Sequence, residues 1–160
     1  TPHQVQSYRG RISGPLLDRF DIHLEVRRLA AKELEAWGAG SSGNGGTPEP
    51  SRAVGARVLE ARVRQARRLR GERQSSPWAS LPRCNAAMSP AQIRRHCALE
   101  DPGRRLLHAA VERLGLSARA YHRILKVART IADLARAEQI DTAHLGEAIQ
   151  YRLLDRMPGM

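Results

Sequence analysis

Aromatic residues are scarce in this sequence: one Phe, two Trp and three Tyr among 160 residues. A core must therefore be built from Leu, Ile, Val and Ala. The hydrophobic fraction of 41% is enough for one, which excludes wholesale disorder. No apolar run approaches the roughly 20 residues that span a bilayer, so no membrane partner is expected. Two cysteines, Cys84 and Cys97, do not make a disulfide scaffold. They have no CxxC or HxxxH partner, and the six histidines are scattered. No metal site is expected, because zinc needs four convergent ligands. There is no GxSxG for nucleophilic catalysis and no GxxxxGK[ST] to cradle phosphate. No secretory or transit pattern opens the sequence. The Thr1-Pro2 start, without Met, fits a piece of a longer protein.

Lysine is also rare, yet the chain is strongly basic. Lys32 and Lys126 are the only lysines among 27 basic residues; the rest are arginine, and the formal charge is +11. Such a charge suggests an anionic partner, nucleic acid first, because arginines release counterions from phosphates. A GC-rich genome would favour arginine codons equally, and composition alone does not separate the two.

The chain divides at residues 38–50, GAGSSGNGGTPEP, a flexible linker with nothing to bury. Before it, Gly14-Pro15 opens a compact element. Ile22, Leu24 and Val26 then alternate with polar residues, the period of a half-buried strand. Ala30–Trp37 is a short helix candidate. After the linker, residues 51–74 read as an Arg-rich helix with Ser51 as N-cap. Arg57, Arg64 and Arg68 lie close on its wheel and are the candidate DNA contacts. Residues 75–87 read as irregular. Ser89-Pro90-Ala91-Gln92 carries a capping box, with Met88 and Ile93 as hydrophobic staple. Asp101-Pro102 repeats the cap-then-Pro pattern, and Gly115 stops that helix. Ser117 opens the longest helix, to about Glu138, with apolar residues at three- and four-residue spacing. Asp141 caps a last helix to about Leu154, with Ile140 and Leu145 as staple. The second half is therefore predicted to be an α-helical bundle.

Two arginines have special settings. Arg19 follows the Gly-Pro turn and precedes the predicted strand. Arg119 lies in the first turn of the long helix, where the helix N-terminus favours phosphate. In a chain so rich in arginine, the residues alone favour an ordinary solvated side chain at each.

A family resemblance gives these positions roles. Tyr8-Arg9-Gly10-Arg11-Ile12-Ser13-Gly14-Pro15-Leu16-Leu17-Asp18-Arg19-Phe20-Asp21-Ile22-His23 resembles the end of the ATPase core in magnesium-chelatase-like AAA+ proteins of the competence type. Leu116-Ser117-Ala118-Arg119 through Ala132-Asp133-Leu134, and then Gln139-Ile140-Asp141 through Gln150-Tyr151-Arg152, resemble that family's C-terminal domain. The resemblance implies that Arg19 is an arginine finger delivered to a neighbouring subunit's ATP, where a guanidinium stabilises the transferring phosphoryl group. It implies that Arg119 is a sensor arginine touching its own subunit's γ-phosphate, with Arg123, one turn later, as second choice. It implies ATP and Mg²⁺ as cofactors of a full-length parent and none for this stretch alone. It further implies self-association into a ring, expected as a hexamer, a cytoplasmic location, and DNA as a possible partner. Walker A, Walker B and sensor 1 would precede residue 1, so the chain alone is not expected to hydrolyse ATP.

The fold expected is mainly α: a helical bundle, the AAA+ lid or magnesium chelatase C-terminal domain, preceded by a flexible segment with one short strand. Residues 1–37 would be a remnant of the AAA+ core, 38–50 the linker and 51–160 the lid. The function expected is the lid region of an oligomeric ATPase coupled to DNA remodelling. Two alternatives stand beside it: the motor subunit of a magnesium chelatase, and a non-enzymatic basic helical module that binds nucleic acid.

Overall fold

The computed structural model describes residues 13–24, 49–70 and 84–152, together with Ser7, Val26, Arg28 and Ala31. Within these lie α1 (Gly14–Leu17), α2 (Ser51–Leu69), a single 3₁₀ turn (Asn85–Ala87), α3 (Pro90–His96), α4 (Asp101–Leu114), α5 (Ala118–Leu134) and α6 (Thr142–Gln150). The arrangement is a helical bundle, as its periodicity predicts. The helix expected over Ala30–Trp37, Ala31 apart, lies outside the described residues, as do 38–48 of the linker.

Each helix start has an identifiable cause. The Ser89 side chain accepts the Gln92 N–H while Gln92 reaches back to the Ser89 N–H, a complete capping box. Ser117 Oγ accepts the Ala120 N–H at 3.0 Å. Asp141 accepts the His144 N–H at 2.9 Å, and His144 Nδ1 accepts in return from the Asp141 N–H. Gly115 closes α4 in the left-handed region at φ 48°, where a side chain would be strained.

Several expectations are corrected. Ser51 is the first helical residue of α2; the cap position belongs to Pro50 and makes no side-chain bond. Likewise Asp101 is the first residue of α4, with Glu100 at the cap. The long helix stops at Leu134 rather than near Glu138, because Arg136 turns left-handed at φ 63°. The last helix stops at Gln150. The predicted strand does not form among the described residues: Ile22, Leu24 and Val26 are all exposed, and none joins a ladder. Alternation alone makes no strand when no neighbouring strand supplies hydrogen bonds. Among the described residues one bridge pairs Leu99 with Ile140 and ties the α3–α4 connection to the start of α6.

The core is organised around α5. It packs against α2, α3, α6 and the 3₁₀ turn, while α4 packs against α6. Leu107, Ile124 and Leu145 are fully buried at its centre, and Met88 and Ile93 close one end. Burying a side chain of this kind is worth about 1.5–3 kcal/mol.

A polar network inside this apolar core fixes α2 to α5. The Asp133 carboxylate is fully buried. One of its oxygens accepts from Arg68 Nη1 at 3.0 Å and from Asn85 Nδ2 at 2.9 Å. The other accepts from Arg68 Nη2 and meets Arg129 Nη2 at 3.1 Å. Asn85 Nδ2 also donates to Thr130 Oγ1. Arg129 in turn donates to the carbonyls of Ala137 and Glu138, at 2.6 and 2.7 Å, beyond the end of α5. The Asp133 charge is thus compensated by two guanidiniums, while Arg129 relies in addition on the two carbonyls and keeps a buried Nε without a partner among the described residues.

Candidate functional site

The segment carrying Arg19 docks on the N-terminal end of α5 and on the end of α6. Asp18 is the centre of that contact. Its Oδ1 accepts from Ser117 Oγ at 3.0 Å and from Arg152 Nη2 at 3.3 Å. Its Oδ2 lies 3.8 Å from Arg119 Nε. Three residues on, Asp21 pairs with Arg123 at 2.5 Å. Arg152 Nη1 donates to the Phe20 carbonyl, and the His23 N–H donates to the Tyr151 carbonyl at 2.9 Å. Ser117 therefore serves twice, capping α5 and holding Asp18.

The fold explains why these groups meet. Arg119 and Arg123 are four residues apart and so share one stripe of α5. Lys126 extends that stripe and donates to the Ala86 carbonyl at 2.7 Å. Burial lowers the Lys126 pKa from its ordinary value, while Asp21 works to raise it and Arg123 to lower it. The positive end of the α5 dipole adds to the field, so the surface facing residues 18–21 attracts anions. The carboxylates of Asp18 and Asp21 answer it within the chain.

Arg19 itself is exposed, with Nη1 donating to the Pro15 carbonyl at 3.1 Å. That bond holds the side chain back along its own turn. The structure thus brings the Arg19 segment together with Arg119 and Arg123. Sequence reasoning missed Arg152, which is 1% exposed and clamps the segment. A burial signal for it was weak, since its partners lie more than a hundred positions away.

The three arginines on α2 are not brought together on one open face. Arg57 pairs with Glu49 at 2.7 Å and stays exposed. Arg64 lies 3.6 Å from Glu60 on its own helix. Arg68 is engaged with Asp133 and Asn85 inside the domain. Among the described residues no three His, Cys, Asp or Glu side chains converge on a point that could hold a metal. The Mg²⁺ implied by the resemblance therefore has no ligand set among them. Arg119, Arg123 and the α5 N-terminus carry the positive charge a phosphate would need, and Asp18 and Asp21 engage them.

Comparisons with known proteins bear on the whole chain. Residues 48–152 match the family described as magnesium chelatase, subunit ChlI C-terminal, and residues 1–34 match magnesium chelatase, subunit ChlI. The chain is 40% identical over 157 residues to competence protein ComM of Haemophilus influenzae, covering 98% of the chain and 27% of that protein. It is 39% identical to the uncharacterized protein YifB of Salmonella typhimurium over the same length. It is 34% identical over 145 residues to an uncharacterized protein of Mycobacterium bovis. The chain spans about a quarter of the length of these curated relatives.

Proposed function

The chain belongs to the magnesium chelatase ChlI family of AAA+ proteins, and on that premise we propose that it is the lid region of a ring-forming ATPase that remodels DNA. Arg19 serves as the arginine finger, and Arg119, with Arg123 behind it, senses the nucleotide. ATP and Mg²⁺ belong to the full-length protein. The guanidinium groups supply positive charge where the transferring phosphoryl group develops negative charge. The reading of DNA as substrate is supported by the charge of +11 and by the identity to a competence protein. Arg57 and Arg64 are the α2 arginines left near the surface for phosphate contacts, whereas Arg68 holds α2 in place.

The observation that carries this reading is Asp18. One carboxylate, next in the chain to Arg19, also faces Arg119. On this reading the contact sets the Arg19 turn and Arg119 on one edge of the subunit. A ring subunit meets its own nucleotide and its neighbour's at different interfaces, so the shared edge favours a single nucleotide for both arginines. If Arg19 reaches the neighbour's ATP, Arg119 reaches the same one. This differs from the division of labour that the family resemblance implies, in which Arg119 serves its own subunit.

Mixed rings of the full-length ATPase test the assignment. Alanine at Arg19 or at Arg119 should each lower turnover on the order of 10³-fold. Either variant, mixed with subunits lacking a functional phosphate-binding lysine, should recover part of the activity. The two alanine variants mixed with each other should recover little, since both lesions fall on the same edge. Recovery in that last mixture places the two arginines on different nucleotides and overturns the shared-edge reading. Wild-type turnover of Arg19→Ala overturns the finger assignment itself.

A further inference from the structure

Helix α2 is apolar on two opposite sides, and only the C-terminal half of one of them, past the exposed Val54 and Val58, is used. The inner side carries Ala61, Gln65 and Leu69, all buried against the domain. The outer side carries Ala56, Leu59, Val63 and Ala66, spaced three, four and three residues apart, and all four are exposed. Leu59 is 66% exposed and Val63 40%. That spacing is the seam of a packed helix pair, with alanines at both ends that permit close approach. A helix with apolar stripes on both sides is one that sits between two bodies.

The charges around the seam identify the second body. Arg52 and Arg70 continue the same stripe at its two ends, and Arg67 flanks it. All three are exposed and make no ion pair among the described residues. The acidic residue nearest the seam, Glu60, is occupied by Arg136 at 2.8 Å and by Arg64. The outer face is therefore an apolar strip framed by uncompensated positive charge. A second copy of α2 would set arginine against arginine. Nucleic acid would answer the arginines but leave Leu59 and Val63 without apolar cover.

We propose that the outer face of α2 is a docking surface for an acidic amphipathic helix of a protein partner, which lays leucine-like side chains on Leu59 and Val63 and carboxylates on Arg52, Arg67 and Arg70. The apolar seam supplies affinity and the charged rim sets orientation and on-rate.

A synthetic probe tests this on the 160-residue chain. The probe is a peptide of about three heptads with leucines at seam positions and glutamates flanking them. A scrambled peptide of the same composition is the control. Calorimetry should show saturable binding of the patterned peptide, at least tenfold tighter than the control and weakened by added salt. Leu59→Ser/Val63→Ser should weaken it tenfold or more while leaving the helical circular dichroism unchanged, since both side chains are exposed. Arg67→Glu should weaken it too, and a lysine-flanked version of the peptide should then bind better than the glutamate-flanked one. Three results overturn the proposal. The first is equal binding of patterned and scrambled peptides. The second is a short DNA duplex that binds through Arg52, Arg67 and Arg70 with no loss in the Leu59→Ser/Val63→Ser chain. The third is self-association, by sedimentation, that the same double substitution abolishes.

Discussion

Asp133 concentrates more of the structure than any other side chain here. It takes hydrogen bonds from Arg68 and Asn85 and pairs with Arg129, with no exposure to solvent. Removing one member of such a set leaves uncompensated charge in the core, at about 3–5 kcal/mol. Asp133→Ala should therefore lower the unfolding free energy by that amount in urea titration, and a loss under 1 kcal/mol contradicts the buried-network account. The two cysteines should differ in chemistry. Burial pushes the Cys97 thiol up to about 11. At Cys84 burial also works upward, but hydrogen bonds from the Ala87 N–H, Arg62 and the Ala86 N–H outweigh it and the pKa falls below its ordinary value. Iodoacetamide near neutral pH should alkylate Cys84 first, as peptide mass spectrometry will show; faster labelling of Cys97 reverses the assignment. Sequence patterns do not carry partnerships of this kind. Arg68 reads as a candidate DNA contact on a basic helix, because Asp133 lies 65 positions away. Arg152 is hidden for the same reason.

At the scale of elements, what is encoded locally is legible and what depends on a distant neighbour is not. The caps at Ser89, Ser117 and Asp141 and the glycine at 115 sit where residue chemistry places them, since each acts within one helical turn. Ser89→Ala should cost about 1 kcal/mol, seen as a lower thermal midpoint with unchanged helical signal at low temperature. The Asp141 cap is pH-sensitive. The His144 N–H bond holds the Asp141 carboxyl below its usual pKa, so its contribution is present above the ordinary carboxylate range. It is lost as pH falls through the lowered folded value. An Asp141→Asn chain should therefore lose stability less steeply on acidification than the parent; parallel acid curves count against the cap. The alternation of Ile22, Leu24 and Val26 failed as a guide, because a strand needs a second strand and the described residues provide none. Helix ends were read too long at Leu134 and Gln150. At the first, apolar spacing continues through Ile131 and Leu134 while the backbone turns at Arg136; spacing records which face is apolar, and backbone conformation is a separate matter.

At the scale of the whole molecule, the described residues combine a packed domain with two outward-facing charged surfaces. One is the edge built by Asp18, Asp21, Arg119, Arg123 and Arg152, where the sequence singled out Arg119 and Arg123 and the fold supplied Arg152 and the carboxylates between them. The other is the outer side of α2. No helix among the described residues is long and apolar enough to cross a membrane. The family assignment was legible because the runs around Arg19 and Arg119 are long and specific; the placing of those runs against each other required three dimensions.

Helix α2 is gripped near its C-terminal end, at Gln65, Arg68 and Leu69, while most of its first ten residues stand clear of the domain. At 1.5 Å per residue that arm is about 15 Å long. A stiff rod clamped at one end is a lever. A tilt of about ten degrees at the Arg68–Asp133 fulcrum, about 25 Å from the tip at Ser51, moves that tip by roughly 4.5 Å. Asp133 sits on the same helix as Arg119 and Arg123, so small motions of α5 are magnified at the far end of α2.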